Sequence, residues 1–95
     1  MNEPPNTVSQ KLRNALIDAV AFRIGQEVED LIPADIPQQT RTAIIAEITP
    51  HVRFTLSRLS TDELENSKCI EYEIKHALRV TSGFVTRIRK QRSRS

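Results

Sequence analysis

Residues 8–31 read VSQKLRNALIDAVAFRIGQEVEDL, and this stretch decides the fold class. Its large aliphatic side chains share one face because they recur every four residues: Leu12, Leu16, Val20, Ile24 and Val28. This spacing predicts an amphipathic helix of about 24 residues. Thr7 or Ser9 can cap its start. The helix is expected to end at Leu31-Ile32-Pro33, because the residue before a proline is driven out of the helical region.

A second apolar pattern follows the short connector at residues 33–37. Its members again share one face: Ala43, Ile44, Ile48, Val52, Leu56 and Leu59. Pro50 lies inside the pattern, where a proline costs about 3 kcal/mol and kinks a helix. Because the pattern keeps its phase across Pro50, we expect one long, bent helix over residues 38–64. One alternative is a new helix that Thr49 caps. Ser60-Thr61-Asp62 is an alternative stop or cap within the same stretch.

The last pattern predicts a shorter helix and a basic end. Ile74, Ala77 and Leu78 place a third helix near residues 71–80, after a loop at 66–68. Gly83 lowers helix propensity by about 1 kcal/mol, so we expect a second short helix or a frayed extension beyond it. The predicted organisation is a disordered lead-in at 1–7, a helical domain at 8–82 and a basic C-terminal extension at 83–95.

Composition narrows the class further. With two glycines and four aromatic residues among 95, the chain is a poor match to β-barrels, β-sandwiches and glycine-rich nucleotide sites, and we expect an all-α fold. The single cysteine, Cys69, excludes a disulfide framework and favours a reducing compartment. No apolar run reaches the roughly 20 residues that span a bilayer, so we expect an intracellular, soluble protein without a membrane partner. A chain this short is marginally stable alone, which favours a partner.

The net charge of +2 conceals a division along the chain. Residues 1–78 hold eight Lys or Arg against twelve Asp or Glu, whereas residues 79–95 hold six Lys or Arg and no acid. A basic end on an acidic body is typical of a segment that binds a polyanion. The alternative is a solvated helix end, where cations also suit the helix dipole.

Catalytic and metal sites are not expected. His51 and His76 lie on different predicted helices, and no histidine or cysteine stands at a ligand spacing from another. Cys69 lacks an orienting group and an oxyanion site, which favours a small buried hydrophobe. The acidic clusters near residues 27–30 and 62–65 are interpreted as solvated helix ends. We therefore predict no enzyme activity, no cofactor and no metal.

The order of a long first helix, a short connector, a long central helix and a short third helix resembles the histone fold. Three stretches are similar to the centromere protein S family in particular. Residues 10–28 resemble its first helix, residues 42–49 (TAIIAEIT) the start of its central helix, and residues 69–79 (CIEYEIKHALR) its loop and third helix. The resemblance covers roughly residues 10–80.

This resemblance implies a nuclear, chromatin-associated histone-fold subunit. Its partner would be a small histone-fold chain similar to centromere protein X, and two such heterodimers would pair into a tetramer that binds duplex DNA. In that family the complex serves a DNA translocase of the Fanconi anaemia type in DNA repair, and it associates with the kinetochore at the centromere.

Charge and apolar spacing give the candidate residues for this function. The candidates for phosphate contact are Lys11, Arg13, Arg41, Lys68, Arg87, Arg89, Lys90, Arg92 and Arg94. The candidates for the partner interface are Leu16, Val20, Ile44, Ile48, Val52, Leu56, Leu59, Ile74 and Leu78. Two alternatives stay open: a helical protein-interaction adaptor, or a transcription-factor histone-fold subunit, without DNA binding of its own.

Overall fold

A computed structural model gives the fold of residues 8–94 and describes the side chains of residues 9–91. Its helices are α1 (Val8–Leu31), α2 (Gln38–Ser57), α3 (Thr61–Leu64) and α4 (Ser67–Arg94). No strand occurs in this described range. The predicted all-α class is therefore confirmed. The disordered lead-in predicted at residues 1–7 lies outside the described residues.

The three long helices pack in an up-down-up arrangement. Arg13, early in α1, donates a hydrogen bond to the carbonyl of Ser57 at the end of α2, so these two helices are antiparallel. Arg89, late in α4, pairs with Asp35 in the connector that precedes α2. Helix α4 is therefore antiparallel to α2 and parallel to α1, and it contacts both.

Isoleucine dominates the core between these helices. Ile24, Val28 and Leu56 are almost completely buried, and each comes from the apolar face that the sequence predicts. Thr81 of α4 is also completely buried. Its hydroxyl donates to the carbonyl of Ala77 at 2.8 Å, so the buried polar group has a partner.

Helix α1 has the predicted bounds, Val8–Leu31. The N–H of Ile32 still bonds the carbonyl of Val28 at 3.3 Å, and the chain leaves the helix before Pro33. In the connector, the N–H of Ile36 donates to the carbonyl of Pro33 at 3.1 Å. The Ile36 side chain is only 2% exposed, so the connector is fixed to the core.

Helix α2 is continuous across Pro50, as predicted. The proline has no N–H to donate within the helix, and its ring is exposed. The preceding hydroxyl, on Thr49, donates to the carbonyl of Ile45 at 2.7 Å, a bond of the kind that bends helices. The predicted end at residue 64 is wrong, because α2 stops at Ser57.

A capping box explains why the chain turns after α2. The hydroxyl of Ser60 accepts from the N–H of Glu63 at 3.1 Å, and the Glu63 carboxylate accepts from the N–H of Ser60 at 2.9 Å. This pair starts the one-turn helix α3, which buries Leu64 against the core. The hydrogen bond from the Ser60 N–H, followed by the bond with the Ser60 hydroxyl, lowers the pKa of the Glu63 carboxyl below its ordinary value of 4.5.

Helix α4 corrects the prediction of a short third helix near 71–80. It begins at Ser67, because the Asn66 side chain accepts from the N–H groups of Lys68 and Cys69 at 2.9 and 3.3 Å. It then continues for 28 residues, so residues 83–94 belong to the same helix. The expected break at Gly83 is wrong, because the apolar pattern keeps its phase beyond it and tertiary packing outweighs the low propensity of one glycine.

Candidate functional site

The basic end of α4 is held against the bundle. Val85 is buried and Ile88 is half-buried against the core, so α4 stays packed past Gly83. One turn further on, Arg89 Nη2 lies 3.0 Å from Asp35 Oδ1, although both side chains are largely exposed. From residue 83 to residue 91, the predicted basic extension is thus a continuation of a packed helix.

Three exposed cations of α4 share one face, which we call the basic face: Arg79, Arg87 and Lys90. At about 100° per residue, the three lie within about 40° of a common direction, on the side of α4 away from its buried residues. Gly83 lies between them on this face, with no atom within 4 Å of the position a Cβ would take. The face presents its charges over about 16 Å of helix.

The local surroundings of the basic face favour an anionic ligand. No acidic residue follows Glu73 in the sequence of α4. The Arg87 guanidinium lies 5.5 Å from the centroid of the Phe84 ring, a cation–π contact that orients it. Ser82 and Thr86 are exposed beside the face and add hydroxyl donors.

Arg13 and Arg41, two of the predicted phosphate contacts, are engaged at helix ends. Arg13 Nη2 lies 2.8 Å from the carbonyl oxygen of Ser57 and 2.6 Å from that of Leu59, where α2 ends. At the end of α1, the Arg41 guanidinium donates to three carbonyl oxygens, those of Glu29 at 3.1 Å, Ile32 at 3.0 Å and Pro33 at 2.9 Å. Each guanidinium donates to carbonyls at a helix C-terminus and complements the helix dipole. Both arginines therefore have a structural role.

The remaining predicted phosphate contacts fall into two groups. Lys11 and Lys68 are exposed, and both lie at the end of the bundle where α1 and α4 begin. Arg87, Arg89 and Lys90 lie near the other end, about 28 Å away along α4. The side chains of two further candidates, at positions 92 and 94, lie outside the described residues.

The predicted partner interface is used within the chain. Five of its nine residues are buried in the core: Ile44, Ile48, Val52, Leu56 and Ile74. The other four are half-buried against that core: Leu16, Val20, Leu59 and Leu78. These side chains are covered because α1 and α4 both pack on α2. The five buried residues form no free surface while the bundle is closed, whereas the other four keep part of their surface exposed.

Different apolar side chains remain in water. Phe22, Phe54 and Tyr72 are 69%, 61% and 69% exposed. Phe22 and Phe54 border neighbouring depressions in the groove between α1 and α2, and the Asp18–Arg53 ion pair lies between them. The sequence contains the signal for this surface, because both phenylalanines lie off the apolar faces of their helices.

The two histidines meet across α2 and α4. His51 Nε2 lies 3.5 Å from His76 Nε2, and the ring centroids are 5.7 Å apart at an interplanar angle of 39°. Both side chains are exposed. Their separation of 25 positions carried no ligand signal in the sequence, and only the antiparallel packing of the helices brings them together. Among the described residues, no group of three or more His, Cys, Asp or Glu is placed to hold a metal.

None of the described helices is both long and apolar enough to cross a membrane. Comparison of the chain with family models, curated proteins and solved structures finds no match in any of the three.

Proposed function

We propose that this chain is a non-enzymatic helical subunit that binds duplex DNA through the basic face of α4. The observation that carries the proposal is the basic face itself, with three exposed cations on one side of a packed helix. Arginine and lysine contacts to phosphates supply affinity that is independent of sequence, because they do not reach the base edges. We therefore expect binding to many duplex sequences with similar affinity.

The test is the salt dependence of binding. Fluorescence anisotropy of a labelled duplex between about 50 and 200 mM salt gives the slope of log K against log salt, which is about −0.9 per neutralised phosphate. The test variant carries Arg79→Gln, Arg87→Gln and Lys90→Gln. We expect its slope to be shallower than that of the wild type by up to about 2.7, with weaker binding at every salt concentration.

The matched control removes three charges from the opposite end of the bundle. Lys11→Gln, Arg58→Gln and Lys68→Gln change the net charge equally at exposed positions. This control is expected to keep the wild-type slope. An equal loss of slope in both variants would assign binding to overall charge, and a wild-type chain that does not bind duplex DNA at low salt would refute the proposal.

We also propose that the chain works with a second helical chain, and the exposed aromatic residues favour this. Burying one aromatic side chain typically contributes about 1.5–3 kcal/mol, so a partner that covers Phe22 and Phe54 would gain binding free energy from both rings. The resemblance to the centromere protein S family implies a histone-fold partner similar to centromere protein X and a nuclear role in DNA repair or at the centromere. Because the α2 apolar face is already covered, we expect the partner to contact the groove between α1 and α2.

Copurification tests the partner proposal. A tagged chain is isolated from its native cells, and stoichiometric companions are identified by mass spectrometry. A small histone-fold chain that is lost when Phe22→Ser and Phe54→Ser are introduced supports the proposal. Tyr72→Ser, which removes an equally exposed aromatic outside this groove, is the control. Isolation of the wild-type chain alone, or with a companion that neither phenylalanine affects, would contradict it.

A further inference from the structure

We propose that His51 and His76 form a two-point site for a divalent transition metal, which ties α2 to α4. The site is independent of the proposed DNA binding. The sequence gives no hint of it, because the two histidines lie 25 positions apart and on different helices. It arises from the packing of α4 antiparallel to α2.

The distance between the two rings suits a shared metal ion. Zinc–imidazole bonds are about 2.0–2.1 Å long. For an Nε2–Nε2 separation of 3.5 Å, an ion about 2.1 Å from both nitrogens makes an N–metal–N angle of about 113°. This angle is close to the tetrahedral value that zinc prefers. The packing of α2 against α4 already holds the two nitrogens at this distance.

The composition of the site sets its chemistry. Two neutral imidazoles favour zinc, copper or nickel over magnesium or calcium, which prefer oxygen ligands. Both rings are exposed, so water can occupy the remaining coordination positions. Glu47 and Glu73 each precede a histidine by about one helical turn, and their carboxylates add negative charge on the two helices. We expect a labile site with two protein ligands, since the described residues hold no group of three.

A metal held by both helices stabilises the folded chain. The unfolded chain does not hold the two imidazoles together, so it binds the ion more weakly and the binding free energy is added to folding. At a free zinc concentration of about 100 times the Kd, we expect the melting temperature to rise by about 11–22 °C.

The experiment is thermal unfolding of the full chain with zinc chloride, followed by circular dichroism. The wild-type melting temperature should rise with zinc and return when EDTA is added. The variants His51→Asn and His76→Asn should each lose the rise, because one imidazole does not bridge the helices. Cys69→Ser is the matched control, since Cys69 is the only thiol in the chain, and it should keep the full rise.

A second measurement does not depend on any variant. The chain contains two histidines, so its NMR spectrum has two sets of imidazole signals, and both should shift together as zinc is added to one equivalent. Three results would overturn the proposal: no rise in the wild type, an equal rise in a histidine variant, or movement of one histidine alone.

Discussion

The continuity of α4 through Gly83 predicts that Gly83→Ala stabilises the protein. Gly83 is exposed in the interior of a 28-residue helix, and no atom lies within 4 Å of the position of an added Cβ. Alanine is favoured over glycine at such a position by about 0.8–1.0 kcal/mol. We expect the free energy of unfolding to rise by about that amount, and the melting temperature by about 4–8 °C.

The assay is urea unfolding followed by circular dichroism at 222 nm. Gly83→Ala should raise the urea midpoint without changing the m-value, because no additional surface becomes exposed on unfolding. Gly83→Pro should destabilise the protein by about 3 kcal/mol or more, because proline removes a hydrogen bond inside the helix. Gly25→Ala is the matched control, since Gly25 lies in the interior of α1 and also has no atom within 4 Å of an added Cβ. It should raise the urea midpoint by a similar amount. If α4 ended near residue 80, both substitutions at Gly83 would be nearly neutral, and this result would refute the reasoning.

Three further predictions address the cap, the core and the turn. Arg41→Met should lower the free energy of unfolding by about 1–2 kcal/mol while leaving the salt slope of DNA binding unchanged, because the arginine pairs carbonyls at the end of α1. Leu56→Ala should lower the free energy of unfolding, measured in urea, by about 2–5 kcal/mol, because Leu56 is 0% exposed. If the chain closes its own core, the unfolding midpoint should not depend on protein concentration. The pKa of Glu63 is lowered in the folded state, so its contribution to the free energy of unfolding is complete above pH 4.5 and is lost as the pH falls through the lowered pKa. The difference in stability between wild type and Glu63→Gln should therefore shrink on acidification. A difference that stays constant with pH would contradict this.

Local sequence patterns predict the bounds of α1 and the continuity of α2 across Pro50. In both cases the signals, apolar spacing and a proline, lie in or next to the helix that they determine. The end of α2 was mispredicted for a different reason. The apolar pattern of α2 runs to Leu59, beyond the end of the helix at Ser57, so periodicity alone extends the helix too far. The motif Ser60-Thr-Asp-Glu63 is a capping-box signature, and it places a new helix start within that stretch.

The length of α4 and the roles of the charged residues depended on contacts far apart in sequence. The low helix propensity of Gly83 does not end α4, because Val85 and Ile88 beyond it pack against the core. Arg13 bonds carbonyls 44 and 46 positions away, so its charge alone gave no sign of its structural role. Positive charge in a sequence shows where an anion is attracted, whereas only the structure shows which donors are already engaged.

Because α4 is a packed helix, fewer cations of the basic end can reach phosphates at the same time. A disordered tail with the six cations of residues 79–95 can bring all of them to phosphates, which gives a salt slope of about −5.4. A packed helix presents the three cations of the basic face, Arg79, Arg87 and Lys90, on one side and directs Arg89 towards Asp35. The described cations then account for a slope of about −2.7. A helix already ordered in the free chain also loses less conformational entropy on binding than a tail does. The packing of Val85 and Ile88 thus favours fewer contacts, each at a lower entropic cost.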